Sequence, residues 1–354
     1  MLRHRPQAGL TLVELMISLA LGLLVVAAVG NIFIANRAAF RSQEALAEIQ
    51  QNGRIAFEIL AQELRAAGNT PCGIPSGQVA NLLNNNTTNW WSNWAGGLIQ
   101  GYEGLAGGPV SFGGSTEERV SGTDGLIIRG TFPACEVGDL SITGHSPGAA
   151  QFSTNVEHCA LPGDVLLACD YKQAALFQVS AVNAIAKTLD HGAGAGTVPG
   201  NCSTKLGLPA ACASGVSTDY AFDKNGTLSR YFASFWFVGN NDRGGRSLFR
   251  ARPRNMAVPD PLNPAASIPT IMIDIEEIAP GIDDFQIEYL ARAAGTLESD
   301  YKLASLVGAN DWNNVVAVRI ELKVVSTRNS ASDGKPVQRT FLHVVSLRNQ
   351  EVVE

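Results

Sequence analysis

From Leu15 to Ile34 the chain runs through twenty residues that are almost wholly apolar, with Ser18 and Asn31 the main polar exceptions. As a helix that run is about 30 Å long, the thickness of a bilayer's hydrocarbon core. A short leader, Met1 to Gly9, precedes it and carries Arg3 and Arg5. Glu14 stands at the mouth of the apolar run. An acidic residue at mid-membrane costs roughly 2.5–3.5 kcal/mol, less near an end, so Glu14 marks a functional site and needs a partner. An amine is the obvious one. Cutting the chain after Gly9 gives Leu10 a free α-amino group four residues before Glu14.

Two blander readings compete. Thr11-Leu12-Val13-Glu14 fits a capping box, in which Glu14 satisfies backbone donors at the helix start. Capping, however, does not require an apolar twenty-mer to follow. An ordinary secretory signal places a small-x-small cleavage site after its apolar core, and Ala27-Ala28-Val29-Gly30 imitates one only loosely.

Gly9-Leu10-Thr11-Leu12-Val13-Glu14-Leu15-Met16-Ile17 and the apolar run behind it resemble the class III signal of type IV prepilins and type II secretion pseudopilins. In that family a membrane peptidase cuts after the glycine and methylates the new N-terminus. The glutamate then engages the N-terminal amine of a neighbouring subunit during assembly. The resemblance implies that Gly9 ends the leader, Leu10 is the mature N-terminus and Glu14 is the assembly glutamate. Leu10 departs from the pattern, since phenylalanine is commoner there.

Basic residues before the span predict an N-in topology, with everything after Asn36 outside the cytoplasm. Net charge is −6, and without Arg3 and Arg5 the side chains total −8. Nucleic-acid backbones are bound by clustered Lys and Arg, so an acidic chain is a poor general nucleic-acid binder and none is expected as a partner. The six cysteines, an even number in an oxidising compartment, read as disulfides. Cys159/Cys169 and Cys202/Cys212 share a ten-residue separation suited to local loop closure, which leaves Cys72 with Cys135 by elimination. A metal alternative at His158-Cys159 with Cys169 lacks the paired spacing of structural zinc sites.

Helical spacing continues beyond the span. Leu46, Ile49, Ala56, Leu60 and Leu64 recur on one face, with Glu44, Glu48, Arg54, Glu58 and Arg65 between them. Ala67-Gly68 before Asn69-Thr70-Pro71 is a stop signal. A helix from Leu10 to Ala67 is about 87 Å long, so its amphipathic half is predicted to pack on a sheet while its apolar half projects. Gly30-Asn31, where many pilins carry proline, is the place at which a kink could form.

Residues 69–123 are rich in Gly, Asn, Ser and Pro and include Trp90-Trp91-Ser92-Asn93-Trp94. Those rings either cover the sheet or helix beneath, the preferred reading, or form a surface that stacks on sugars or a partner. Strands are predicted at Gly125–Arg129, Asp164–Asp170, Ala174–Val182, Ser229–Val238 and Ser247–Arg252. The proline-rich 252–269 segment reads as a loop. Phe285, Ile287 and Tyr289, then Val316 to Val324, alternate apolar with polar residues as half-buried antiparallel strands do. Phe341 to Leu347 is the last candidate.

Several of these pieces, in order, resemble the large PilW-type minor pilins. They are Gly163-Asp164-Val165-Leu166-Leu167, Leu176-Phe177-Gln178-Val179, Ser229-Arg230-Tyr231-Phe232 and Ser247-Leu248-Phe249-Arg250. Gly281 to Tyr289 and the closing Val345-Ser346-Leu347-Arg348-Asn349 complete the set. The resemblance implies an α+β, type IV pilin fold: a long N-terminal helix on an antiparallel sheet with large disulfide-stapled insertions. Its domains would be a leader at 1–9, a helix at 10–68 that is transmembrane over 10–35, and an extracytoplasmic domain at 69–354. The implied partners are the prepilin peptidase, other minor pilins and the major pilin through the helix, the inner membrane and the pilus assembly platform. The implied role is to prime pilus assembly and cap the tip. A J-type pseudopilin of a type II secretion system, or a tip adhesin using the Trp segment, are the alternatives.

Enzyme signals fail on chemistry. Gly144-His145-Ser146-Pro147-Gly148 matches G-x-S-x-G, but the residue after the serine must donate a backbone N–H and Pro147 has none. Asp223-Lys224-Asn225-Gly226 lacks the repeated acids and closing glutamate of a calcium loop. Asp274, Glu276, Glu277, Asp283 and Asp284 read as a solvated acidic face. No catalytic residue, metal or cofactor is expected.

Overall fold

In the computed structural model the N-terminal helix runs unbroken from Leu12 to Ala66. The structure describes residues 11–73, 78–136, 138–194, 196–212, 216–261, 263, 266–293, 295–329 and 335–348. Gly30 and Asn31 lie inside the helix without ending it. No proline removes a donor there, and one glycine costs only about 1 kcal/mol. Gly68, at φ +67°, ends the helix with a left-handed turn.

The chain divides into two compact units, Met1–Gln51 with Val325–Gln338, and Asn52–Val324 with Arg339–Glu354. In the first, every described residue from Thr11 to Arg41 is exposed, while Ala45 and Ile49 are buried. Glu48 there accepts the Thr327 hydroxyl at 2.6 Å. In the second, Ala56, Leu60, Leu64 and Ala67 form the buried stripe that helical spacing demands. Phe57 stacks on His343 at 3.7 Å. The Phe341 ring lies so close to Gly53 that a Cβ there would meet it at 2.9 Å.

The second unit is built on a twelve-stranded sheet whose central strand is Thr227–Asn240. One edge of that strand pairs with Gly125–Pro133. The other edge pairs with Val165–Cys169 at its start and with Arg246–Pro259 at its end. All pairings in this sheet are antiparallel except Val79–Asn81 beside Ala174–Gln178. A second sheet of five strands centres on Ile282–Ala293, which pairs from Ile282 to Ala291 with Val324 back to Val315. There Phe285, Ile287 and Tyr289 face inward as their alternation requires.

The expected loop at 252–269 is instead the far half of a hairpin, Arg246–Pro259 against Ser267–Pro280. Proline is tolerated in a strand only where no N–H is needed. The Ile271 N–H points away from the hairpin, to the Val198 carbonyl at 2.9 Å. Odd-numbered positions of the returning strand therefore face outward, as do the odd positions opposite them. Pro253, Pro259 and Pro269 all fall on such positions and interrupt no rung of the ladder.

Cys202 is bonded to Cys212, the local pair, but the other two bonds are Cys72–Cys169 and Cys135–Cys159. The expected Cys159/Cys169 and Cys72/Cys135 pairs are overturned by strand alternation. Cys169 joins Leu167, Leu176 and Tyr231 in one hydrophobic cluster, where Cys72 also packs. Cys135 belongs to another cluster, with Leu166, Phe177 and Leu228. Adjacent residues of one strand thus serve opposite faces, and sequence proximity does not bring Cys159 to Cys169.

The Trp segment is inside. Trp91 and Trp94 are buried at 5% and 2% exposure. Arg129, fully buried and without a carboxylate partner among the described residues, holds the segment by donating to the carbonyls of Trp90 and Gly97. Arg119 does the same for the next stretch, donating to Tyr102, Ala106 and Thr123. Covering the sheet was the preferred reading, and an exposed stacking platform is excluded for Trp91 and Trp94.

Candidate assembly site

At the helix start the capping box forms. The Thr11 N–H donates to Glu14 at 3.0 Å and the Thr11 hydroxyl at 2.9 Å, while the Glu14 N–H reaches the Thr11 hydroxyl at 3.4 Å. Glu14 is therefore the acceptor at a helix N-terminus, where orphan donors and the helix dipole both favour a carboxylate. Gly9 and Leu10 lie outside the described residues. Behind Glu14 the apolar surface is wholly exposed: Leu15, Leu24, Val26, Ile34 and Phe40 each show more than half their area. This helix is long and apolar enough to cross a membrane. So large an uncovered apolar surface needs lipid or other helices around it.

At the other end of the helix a polar clamp that sequence reading missed ties it to the sheet. Glu63, only 6% exposed, accepts from Ser234 Oγ at 2.5 Å, Trp236 Nε1 at 2.7 Å and Arg250 Nη1 at 2.6 Å. Arg250 in turn donates to Glu276 at 2.9 Å. The signal was present, because Glu63 falls between Leu60 and Leu64 on the apolar face, three and seven residues from Leu60 and Ala56. An acid on such a face implies a buried partner.

The other candidate groups are structural. The Gly144–Gly148 match ends a strand at Ser146 and enters a single turn at Pro147, with no helix behind it. Its His145 meets His191 with Nε2 atoms 3.0 Å apart, and Phe152 stacks on His145 at 4.2 Å. Burial lowers the pKa of His145 to about 4 and, with repulsion from His145, that of His191 to about 3. Four of the five acidic residues pair with cations: Asp274 with Arg252 and Arg254, Glu276 with Arg250 and Arg252, Glu277 with Arg243, and Asp283 with Arg246 and Lys323, while Asp284 accepts from the Phe285 N–H and the Gln286 amide. Among the described residues no group of three or more His, Cys, Asp or Glu could hold a metal ion.

Comparison with known proteins gives two matches in this chain. Residues 4–30 match the prokaryotic N-terminal methylation motif, and residues 235–349 match the type IV pilus-assembly protein W family. No curated protein and no solved structure matches the chain. The motif implies processing by a prepilin peptidase and association with pilus pilins. The family matched over the later strands is one of structural pilins. A methylation motif at its head, an exposed apolar helix behind it and the PilW match over its later strands together support a PilW-type minor pilin with a class III signal peptide.

Proposed function

We propose that the chain enters a complex of minor pilins that primes type IV pilus assembly and caps the pilus tip. In this reading residues 1–9 are the leader, 10–68 the helix with 10–35 in membrane or filament core, and 69–354 the extracytoplasmic domain. Before assembly the domain lies in the periplasm, and afterwards at the cell surface. The observation that carries the reading is the bare apolar helix with one carboxylate at its mouth.

The mechanism is exchange of partners. In the free subunit Glu14 is satisfied by its own Thr11. Leaving lipid for a bundle of helices reburies the apolar surface, and a neighbour's N-terminal amine then neutralises Glu14 in a low-dielectric core. One partner left alone there costs roughly 3–5 kcal/mol. Glu14→Ala is expected to leave folding and cleavage intact while reducing incorporation into pili, read by immunoblot of sheared filaments. Normal incorporation would overturn this role. Scoring pili and secreted proteins in a strain lacking the chain separates a pilus role from that of a type II secretion pseudopilin.

A further inference from the structure

The central strand is forked along one edge. Its pairing with Val165–Cys169 ends at Arg230 opposite Leu166, and its pairing with Arg246–Pro259 begins only at Phe235 opposite Ala251. Neither arm pairs with Tyr231 to Ser234. The direction of the backbone groups follows from hydrogen bonds elsewhere. The Arg129 N–H points away from the central strand, to the Leu98 carbonyl at 2.8 Å, and Arg129 lies opposite Ala233. Odd-numbered residues of the central strand therefore turn their N–H and C=O away from Gly125–Pro133. At Ala233 they turn into the fork. The residue across the fork in register is Pro253, which has no N–H to offer the Ala233 carbonyl.

The fork opens into a cavity of about 400 Å³ lined from both faces of the sheet. Arg230, Arg250, Arg252 and Arg254 line it, against the two acids Glu63 and Asp164. Among the lining residues guanidiniums thus outnumber carboxylates four to two, with Asp274 and Glu276 paired to Arg250, Arg252 and Arg254 beside them. Arg250 is held by Glu63 and Glu276 and Arg252 by Asp274 and Glu276, while Arg230 and Arg254 keep half-exposed side chains at the rim, ion-paired with Asp164 and Asp274 respectively. A sheet edge recognises an extended backbone, and guanidinium groups recognise carboxylates.

We propose that the fork binds a short extended peptide segment of a partner protein, whose backbone takes the Ala233 N–H and C=O while an acidic side chain meets Arg230 and Arg254. The site lies wholly within the second unit, so it stands or falls independently of the assembly role of Glu14.

Hydrogen exchange on the full chain in detergent tests it, with an acetylated, amidated pentapeptide alternating valine and glutamate as the probe. In the free chain the Ala233 amide is expected to exchange at least about tenfold faster than those of Phe232 and Ser234, which face the paired edge. The probe should slow Ala233 by a similar factor, and the same peptide with lysine for glutamate should not. An Arg230→Gln, Arg254→Gln variant, altered only at the half-exposed rim, should retain the exchange pattern of the free chain and bind the acidic probe at least about fivefold more weakly. Equal protection of Ala233 and its neighbours without probe, equal binding of both peptides, or unchanged binding by the variant would each overturn the proposal.

Discussion

Glu63 shows what one buried carboxylate can decide. Three donors converge on it, two of them on the sheet's central strand and one the guanidinium of Arg250. Glu63→Ala leaves Arg250 and the Trp236 N–H short of an acceptor in a nearly closed site, so it is expected to cost about 3–5 kcal/mol. Glu63→Gln keeps an acceptor and should cost less. Urea denaturation followed by Trp fluorescence compares them. His145 and His191 act through protons. Both are held neutral in the fold, to about pH 4 and about pH 3, whereas unfolded imidazoles titrate near pH 6.5. Below about pH 6.5 the unfolded chain therefore binds protons that the folded chain refuses, and stability falls with pH until the folded pair titrates. A His191→Phe variant should show a shallower loss between pH 7 and 5 in thermal melts.

At the scale of elements, the disulfides do what the loops cannot. Cys72 follows the helix end and Cys169 closes a core strand, and their bond spans 97 residues. Closing so long a loop restricts the unfolded chain strongly, a stabilisation of about 4–5 kcal/mol in the chain-entropy account. Replacing both cysteines by alanine is expected to lower stability by about 2–5 kcal/mol and to leave the far shorter Cys202–Cys212 loop intact, checked by urea titration and non-reducing peptide mapping. The helix and the late strands were legible in advance, because 3.6- and 2-residue periodicities are local properties of sequence. The hairpin through Pro253 and Pro259 was not. Its prolines are harmless only because of the register in which they pair, and register is a property of two strands.

For the whole molecule, apolar surface is divided between an uncovered segment and a covered one. Residues Thr11 to Arg41 expose apolar surface, whereas the unit from Asn52 onward buries its own. Loss of Glu14 should therefore leave the melting of the second unit unchanged even as incorporation falls, since no described contact of that unit involves it.

Sequence alone was enough for the methylation motif over residues 4–30, the apolar helical run from Leu15 to Ile34 and the PilW match of the later strands. Each depends on residues close together in the chain. Tertiary structure decided which cysteines meet, whether Trp91 and Trp94 face water, how Glu63 is answered and where the central strand is left open. Those outcomes depend on which face of a strand a side chain occupies and which distant backbone lies opposite. Alternation along one strand sets the face, but only packing chooses the neighbour.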